Sequence, residues 1–463
     1  MSDFNDKLHE ECGVFGIWDF PGTNVAKSIY FGLISLQHRG QESAGIAVTD
    51  TAGERGNMGY HKGMGLVSEV FKNSTLENMK GNIGVGHVRY STTGGSKIEN
   101  AQPVVFNYLK GSLAMVHNGN IVNTDSLRKQ MFENGDVFRS DTDSEVVACL
   151  IAKERSNAPN IQTAAKNAAK KLIGSYSIII MSPRKLIAMR DPLGLRPMCL
   201  GKRENAWVVA SETCALKAID AEYVRDVEPG EIITISRHGI ESDKELCGRQ
   251  HAHCIFEYIY FARLDSVIDG VSVYDARFNS GKLLAKAYPV DADIVTGVPD
   301  SGLTAAAGYA TEAKIPFTLA FQKNSYMGRT FIKPTQSERE SAVHLKLNVI
   351  GSVVKGKKIV LIDDSIVRGT TMKNLIKMLR QAGAKEVHVR VSSPPFLHPC
   401  YYGTDVPDNA QLIANQMTQE EIKEMIGADS LGYMRVEDLD KMAEGLTYCK
   451  ACFNGEYPTE TSK

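Results

Sequence analysis

The sequence predicts a two-part fold: a layered α+β half with largely antiparallel sheets, then an α/β half with a parallel sheet. Three observations carry this. At 463 residues the chain is too long for one ordinary core, so two domains are the default. Up to about residue 245, short β-like runs come in consecutive groups. After Gly248 the rhythm changes to strand, loop, helix.

In the first half CGVFGIW, GNIGVGHV, GSLAMVHNGN and SYSIIIM read as strands, punctuated by Gly and Asn. Helical patterns from Asp143 to Arg155 and from Gln162 to Leu172 sit between them. In the second half the apolar run Ala292 to Val298 ends in Gly-Val-Pro-Asp-Ser and leads into an Ala-rich helix to Ala313. Lys357 to Ile362 predicts the next strand. Met372, Leu375, Ile376, Leu379 and Ala382 then form a one-sided helical stripe that Gly383 is placed to end. Glu386 to Val391 is a further strand. Such alternation gives a parallel sheet whose ligands sit at the carboxyl ends of its strands. Asp300-Ser301 and Asp363-Asp364 both fall there.

Composition excludes several classes. Apolar residues make up 43% and charged residues 23%, as in a folded globular chain. A net charge of −1 lacks the basic excess of a nucleic-acid binder. No apolar run approaches the roughly 20 residues of a membrane helix. The start, MSDFNDKLHEE, is polar and acidic, the reverse of a secretory signal. Nine cysteines, an odd number without a regular framework, indicate a reducing compartment. The expected location is the cytoplasm.

Val360 to Thr371, VLIDDSIVRGTT, is the most informative stretch. A buried strand meets two adjacent carboxylates, then a turn rich in hydroxyls with Gly369, then a helix start. Backbone N–H groups at such a turn favour a phosphate anion, and Ser365, Thr370 and Thr371 add donors. Asp363 and Asp364 repel phosphate and suit what lies beside it in a sugar phosphate, ribose hydroxyls and Mg²⁺. The stretch resembles the phosphoribosyl diphosphate signature of type I phosphoribosyltransferases, which extends the binding set to Arg368. The resemblance adds Ser301, in GVPDSG, to Asp363 and Asp364 in the Mg²⁺ and diphosphate site. It also reads Gln322 to Glu340 as a lid, with Lys323 and Arg329 on phosphates.

At the other end, Glu11-Cys12-Gly13-Val14-Phe15-Gly16 is by propensity an ordinary strand opening. Its neighbours change the reading. LQHRGQESAG, GHVRYSTTGG, HNGN and SDTDSE are each turn-like segments bearing a charged or amide side chain. Together they resemble the glutamine amidotransferase domain of the N-terminal-nucleophile class, which implies a four-layer α/β/β/α sandwich. In that class the residues before the Cys are removed, and the freed α-amine serves as its base. An amine pKa of about 7.7–8.0 against about 8.5 for a thiol makes that transfer feasible, whereas a peptide nitrogen is no base. The resemblance therefore makes residues 1–11 a propeptide, residues 12–245 the amidotransferase domain, and residues 246–463 the phosphoribosyltransferase domain with its tail. It assigns the oxyanion hole to Asn118 and Gly119. Arg89 would hold the glutamine α-carboxylate with Thr92 beside it, and Asp143 the α-ammonium, while Arg39 shapes the pocket. Asp141-Thr142 mimics the acidic pattern, but Ser144-Glu145 completes it after Asp143.

A glutaminase followed by a phosphoribosyltransferase resembles the amidophosphoribosyltransferase family across essentially the whole chain. The implied reaction turns glutamine, phosphoribosyl diphosphate and water into phosphoribosylamine, pyrophosphate and glutamate, the first step of purine synthesis. Purine nucleotides as feedback inhibitors and a homotetramer are implied likewise. Two rivals are an amidotransferase with another acceptor, which would lack DDSIVRGTT, and a purine-sensing regulator, which would need no Cys12, Asn118, Arg89 or Asp143. Cys449 and Cys452 form a C-x-x-C that, with Cys254 and Cys400, makes four thiols readable as zinc, redox or iron–sulfur. HCIFEYIYF, PPFLHPC and CKAC resemble the Bacillus-like iron–sulfur branch, which implies a structural [4Fe–4S] cluster. Cys149, Cys199, Cys214 and Cys247 fit no set.

Overall fold

The computed structural model describes residues 11–22, 24–51, 58–90, 95–108, 110–248, 250–324, 347–406 and 408–461. The propeptide reading for residues 1–10, Thr92, Arg329 and nearly all of the expected lid lie outside them.

Two antiparallel sheets build the first half. In the seven-stranded sheet, Gly13–Asp19 lies between Ala206–Ala210 and Ile83–Arg89, with Ser43–Thr49 next to the latter. The six-stranded sheet has Gly174–Ser182 paired with Gly111–Ile121 on one side and Lys185–Arg190 on the other. Val14, Val85, Val116, Ile179, Leu186 and Val209 meet between the sheets. The outer face of the first sheet is covered by Ala26–Ser35 through Ile29 and Leu33. The outer face of the second is covered by Asp143–Asn157 and Ile161–Ala169. This is the α/β/β/α sandwich. Both faces of a central strand are buried, which is why Gly13–Asp19 runs apolar without alternation.

Ile294–Gly297, Lys358–Asp363, Glu386–Val391 and Ser430–Tyr433 form a wholly parallel sheet in that order. Val273–Ala287 and Gly302–Ala313 cover one face, Thr370–Gln381 and Gln419–Ile426 the other. Sequence and structure differ mainly at ends. The first strand starts at Ile294, not Ala292, because the Asp293 carboxylate takes the Lys358 N–H at 2.7 Å. The helix expected from Gln162 to Leu172 is Ile161–Ala169, capped by Asn160, whose Oδ1 accepts the Thr163 N–H at 2.9 Å. HNGN is no turn: His117 to Asn120 continue the strand Gly111–Ile121, in register with Ser175 to Ile178. Among the described residues no helix is long and apolar enough to cross a membrane.

Candidate functional site

Cys12 sits at the mouth of Gly13–Asp19, and the strand behind it is fixed from both sides. Val14 N donates to Ser211 Oγ at 2.9 Å, and Ser211 N donates back to Val14 O at 3.0 Å. The half-buried Cys12 Sγ lies 3.5 Å from Tyr90 O, and its own carbonyl accepts from Arg39 Nε at 3.1 Å. Burial pushes the thiol up; the Tyr90 contact and the charges of Arg89 and Arg39 oppose this, and Asp143 adds to it. One thiol therefore feels side chains from three of the segments singled out by sequence.

Asn118 is 1% exposed, and among the described residues its Nδ2 has no hydrogen-bond partner. A buried amide donor left unmade costs about 1–3 kcal/mol, so an acceptor supplied by a ligand fits it. Gly119 follows at φ +139°, and a Cβ there would stand 2.2 Å from Ser175 O. Only glycine keeps the strand in register while turning its backbone this way. Asp143 opens the helix Asp143–Asn157 behind the Thr142 cap; it is buried, whereas Asp141 is exposed. Its Oδ2 accepts the Ile121 N–H at 3.0 Å, and Oδ1 accepts from Ser144 Oγ at 3.2 Å. Arg89, buried at the end of its strand, has Nη1 3.4 Å from Glu42 Oε1. Beneath lies His87, whose Nε2 donates to His117 O at 2.9 Å; burial drives its pKa down to about 3, so it is neutral.

Asp363 and Asp364 lie at the carboxyl end of Lys358–Asp363, both buried. Asp363 Oδ1 accepts the Asp364 N–H at 3.0 Å. Asp364 accepts from Ser301 Oγ at 2.5 Å and from Ser365 Oγ at 2.6 Å. The loop after the neighbouring strand is thus joined to this one, as the sequence expects. Gly369, at φ +82°, precedes Thr370–Gln381, so Thr370 and Thr371 form its first turn. Arg368 is exposed, with Nη2 2.7 Å from Gln411 Oε1. Lys323 is ion-paired with Asp300 at the same rim. Two adjacent buried carboxylates ringed by hydroxyls form an all-oxygen donor set, which suits a hard cation.

Cys254 and Cys449 stand opposite each other where two-residue strands pair in parallel. Cys452 follows on the short helix Ala451–Asn454, and Cys400 Sγ accepts the Tyr402 N–H at 3.3 Å. Burial raises Cys254 and Cys449 to about 12 and Cys452 well above its usual value; the neighbouring thiols add to each rise. Among the described residues no three His, Cys, Asp or Glu gather tightly enough for one metal ion. The thiols of Cys400, Cys449 and Cys254 all act on Cys452, and four thiols are a donor set that either a zinc ion or an iron–sulfur cluster takes.

Sequence reasoning missed the buried ions that surround Cys12 from behind. Glu212 and Glu257 both pair with Arg39, and Glu11 pairs with Arg196. The available signal was weak: Glu257 is a carboxylate inside the apolar run HCIFEYIYF.

A glutamine amidotransferase domain model matches residues 87–218, and a phosphoribosyl transferase domain model matches residues 272–395. The amidophosphoribosyltransferase of Methanocaldococcus jannaschii is 50% identical, over 97% of this chain and 98% of its own length. That of Bacillus subtilis is 49% identical over 98% and 95%. A solved structure of the allosteric regulatory enzyme of purine biosynthesis superposes with a TM-score of 0.91 at 47% identity, covering 98% of this chain and 97% of that one. The B. subtilis glutamine phosphoribosylpyrophosphate amidotransferase complexed with ADP and GMP gives 0.90 at 46%, covering 98% of both. At such identity over nearly the full length, the chain belongs to the amidophosphoribosyltransferase family.

Proposed function

We propose that Cys12, exposed by removal of residues 1–11, hydrolyses glutamine and that the ammonia displaces pyrophosphate from phosphoribosyl diphosphate to give phosphoribosylamine. The observation that carries this is the placing of Cys12 at its strand mouth, Sγ 3.5 Å from the carbonyl of Tyr90 next to Arg89 and its own carbonyl held by Arg39, in a chain whose other half joins Ser301, Asp363 and Asp364 at its strand ends. Arg89 and Thr92 hold the glutamine carboxylate and Asp143 its ammonium, which aims the amide carbon at the thiol. The Cys12 α-amine takes the thiol proton and returns it to the leaving ammonia. Asn118 Nδ2 and Gly119 N–H meet the oxygen as it becomes anionic. Water then releases glutamate.

Ammonia must arrive unprotonated, so its route is closed to solvent. At the second site the N-terminus of Thr370–Gln381, with Ser365, Arg368, Gly369, Thr370 and Thr371, cradles the 5-phosphate. Lys323 and Arg329 hold the diphosphate. Ser301, Asp363 and Asp364 would hold Mg²⁺, which supplies charge stabilisation for the departing pyrophosphate. Cys254, Cys400, Cys449 and Cys452 would hold a structural [4Fe–4S] cluster, tying the tail to the start of the second half. Purine nucleotides as feedback inhibitors, a homotetramer and a cytoplasmic location rest on family likeness. Neither the purine sensor nor another acceptor gains support: the glutaminase set and the DDSIVRGTT loop are both intact.

The test is phosphoribosylamine formation with glutamine and, separately, with ammonia. Cys12→Ala should lose the glutamine reaction and keep the ammonia reaction. Loss of both, or of neither, refutes the division of labour.

A further inference from the structure

Cys12 is aimed from behind. The strand Gly13–Asp19 gives its direction, but its carbonyl is fixed by Arg39 Nε at 3.1 Å. Arg39 is 1% exposed, and a buried guanidinium stays charged only beside carboxylates. Two supply this. Glu212 Oε1 lies 2.6 Å from Nη1. Glu257 grips both terminal nitrogens, Oε1 at 2.6 Å from Nη2 and Oε2 at 3.0 Å from Nη1. Burial opposes the Arg39 charge, and Glu257 and then Glu212 more than restore it. Only the Glu257 contact is two-pronged, and such a pair fixes the plane of the guanidinium as well as its place.

Glu257 comes from the other part of the molecule. It opens a π-helical turn, Glu257–Phe261, after the last strand of the six-stranded sheet. Turns of this kind recur where a functional side chain must be re-aimed. The turn is held at its far end by buried Arg277, which donates to Tyr258 O at 2.8 Å and to Ala262 O at 2.7 Å. Glu212 completes a reciprocal clasp: its Oε2 accepts the Arg263 N–H at 2.9 Å and the Ser266 hydroxyl at 2.7 Å, both from the segment after that turn. Burial of Glu212 is outweighed by His38 and Arg39, which hold its carboxyl well below the usual carboxylate range.

Removal of Glu11 with the rest of the proposed propeptide would increase the dependence on Glu257. With Glu11 present, its carboxylate serves Arg196 and lies 3.6 Å from Arg39 Nη2. Without it, Arg39 and Arg196 are left with Glu212 and Glu257, and Arg196 Nη1 is already 3.5 Å from Glu257 Oε1.

We infer that Glu257 is a positioning residue for the glutaminase reaction: it orients Arg39, which orients the backbone of Cys12. This rests on Cys12 being the nucleophile. The full chain carrying Glu257→Gln, and separately Glu257→Asp, is assayed with glutamine and with ammonia. In Glu257→Gln the glutamine kcat falls roughly tenfold to a hundredfold, while the glutamine KM and the ammonia rate stay within about twofold. Glu257→Asp, which keeps the charge, recovers part of the loss. Parallel loss of both reactions, an unchanged glutamine kcat, or no recovery in Glu257→Asp overturns the inference. Cys12→Ala separates the claims. Glutamine turnover surviving there sinks the nucleophile itself, whereas a normal Glu257→Gln beside an inactive Cys12→Ala sinks only the role of Glu257.

Discussion

At Asn118 a residue in the middle of a strand carries a donor that has no partner among the described residues. Its strand hydrogen bonds are kept by pairing with Ser177, so the side chain alone bears the cost of burial. A folded protein keeps such a group where a ligand completes it. Asn118→Ala should lower the glutamine kcat by about a hundredfold or more, leave the ammonia reaction intact and leave thermal stability undiminished. A loss of stability with unchanged kcat would make Asn118 a packing residue. Cys12, by propensity an ordinary strand opening, was singled out with Asn118, Asp143 and Arg89 only through the resemblance of the segments around them to a glutamine amidotransferase domain. The clasp was not. Arg39 meets Glu212 and Glu257 across 173 and 218 residues of chain, and no local pattern announces a pair at that distance.

Among the elements, the strand, loop and helix from Lys358 to Gln381 follow from period alone. Apolar residues run unbroken through the strand, then recur at helical spacing in Met372, Leu375, Ile376 and Leu379, all buried. Gly369 joins the two at φ +82°, where a Cβ would also stand 2.6 Å from Met425 Cε. Gly369→Ala should strain this turn by roughly 1–3 kcal/mol and tilt the N–H groups of Thr370 and Thr371 off the phosphate. Steady-state kinetics should then show a raised KM for phosphoribosyl diphosphate with either nitrogen donor. An unchanged KM would remove the turn from the binding site. At this scale HNGN carried two readings, the end of the strand run GSLAMVHNGN and a turn-like segment, and the structure takes the first. Gly and Asn signal a turn, yet Gly119 sits in a strand because Ser175 O leaves no room for any side chain.

For the whole molecule, the order of halves was readable from the change of rhythm near Gly248, and both sheet types follow it. How the halves meet was not readable. Contacts such as Ser175 Oγ to Tyr402 O at 2.7 Å and Asn120 Nδ2 to Tyr401 O at 2.9 Å join the glutaminase sheet to the tail just after Cys400. A cluster on Cys254, Cys400, Cys449 and Cys452 would therefore stabilise this junction as well as the tail. Anaerobically purified protein should contain iron and acid-labile sulfide in equal amounts, and oxidative loss of both should lower its thermal stability. Stoichiometric zinc with no iron would overturn the cluster.

By the proposed mechanism the Cys12 thiol works only as a new chain start. Intact-mass measurement on protein that hydrolyses glutamine tests it most directly. Active molecules should begin at Cys12, and any fraction still carrying residues 1–11 should be inactive with glutamine. Full glutaminase activity in a chain that still begins at Met1 would contradict that mechanism.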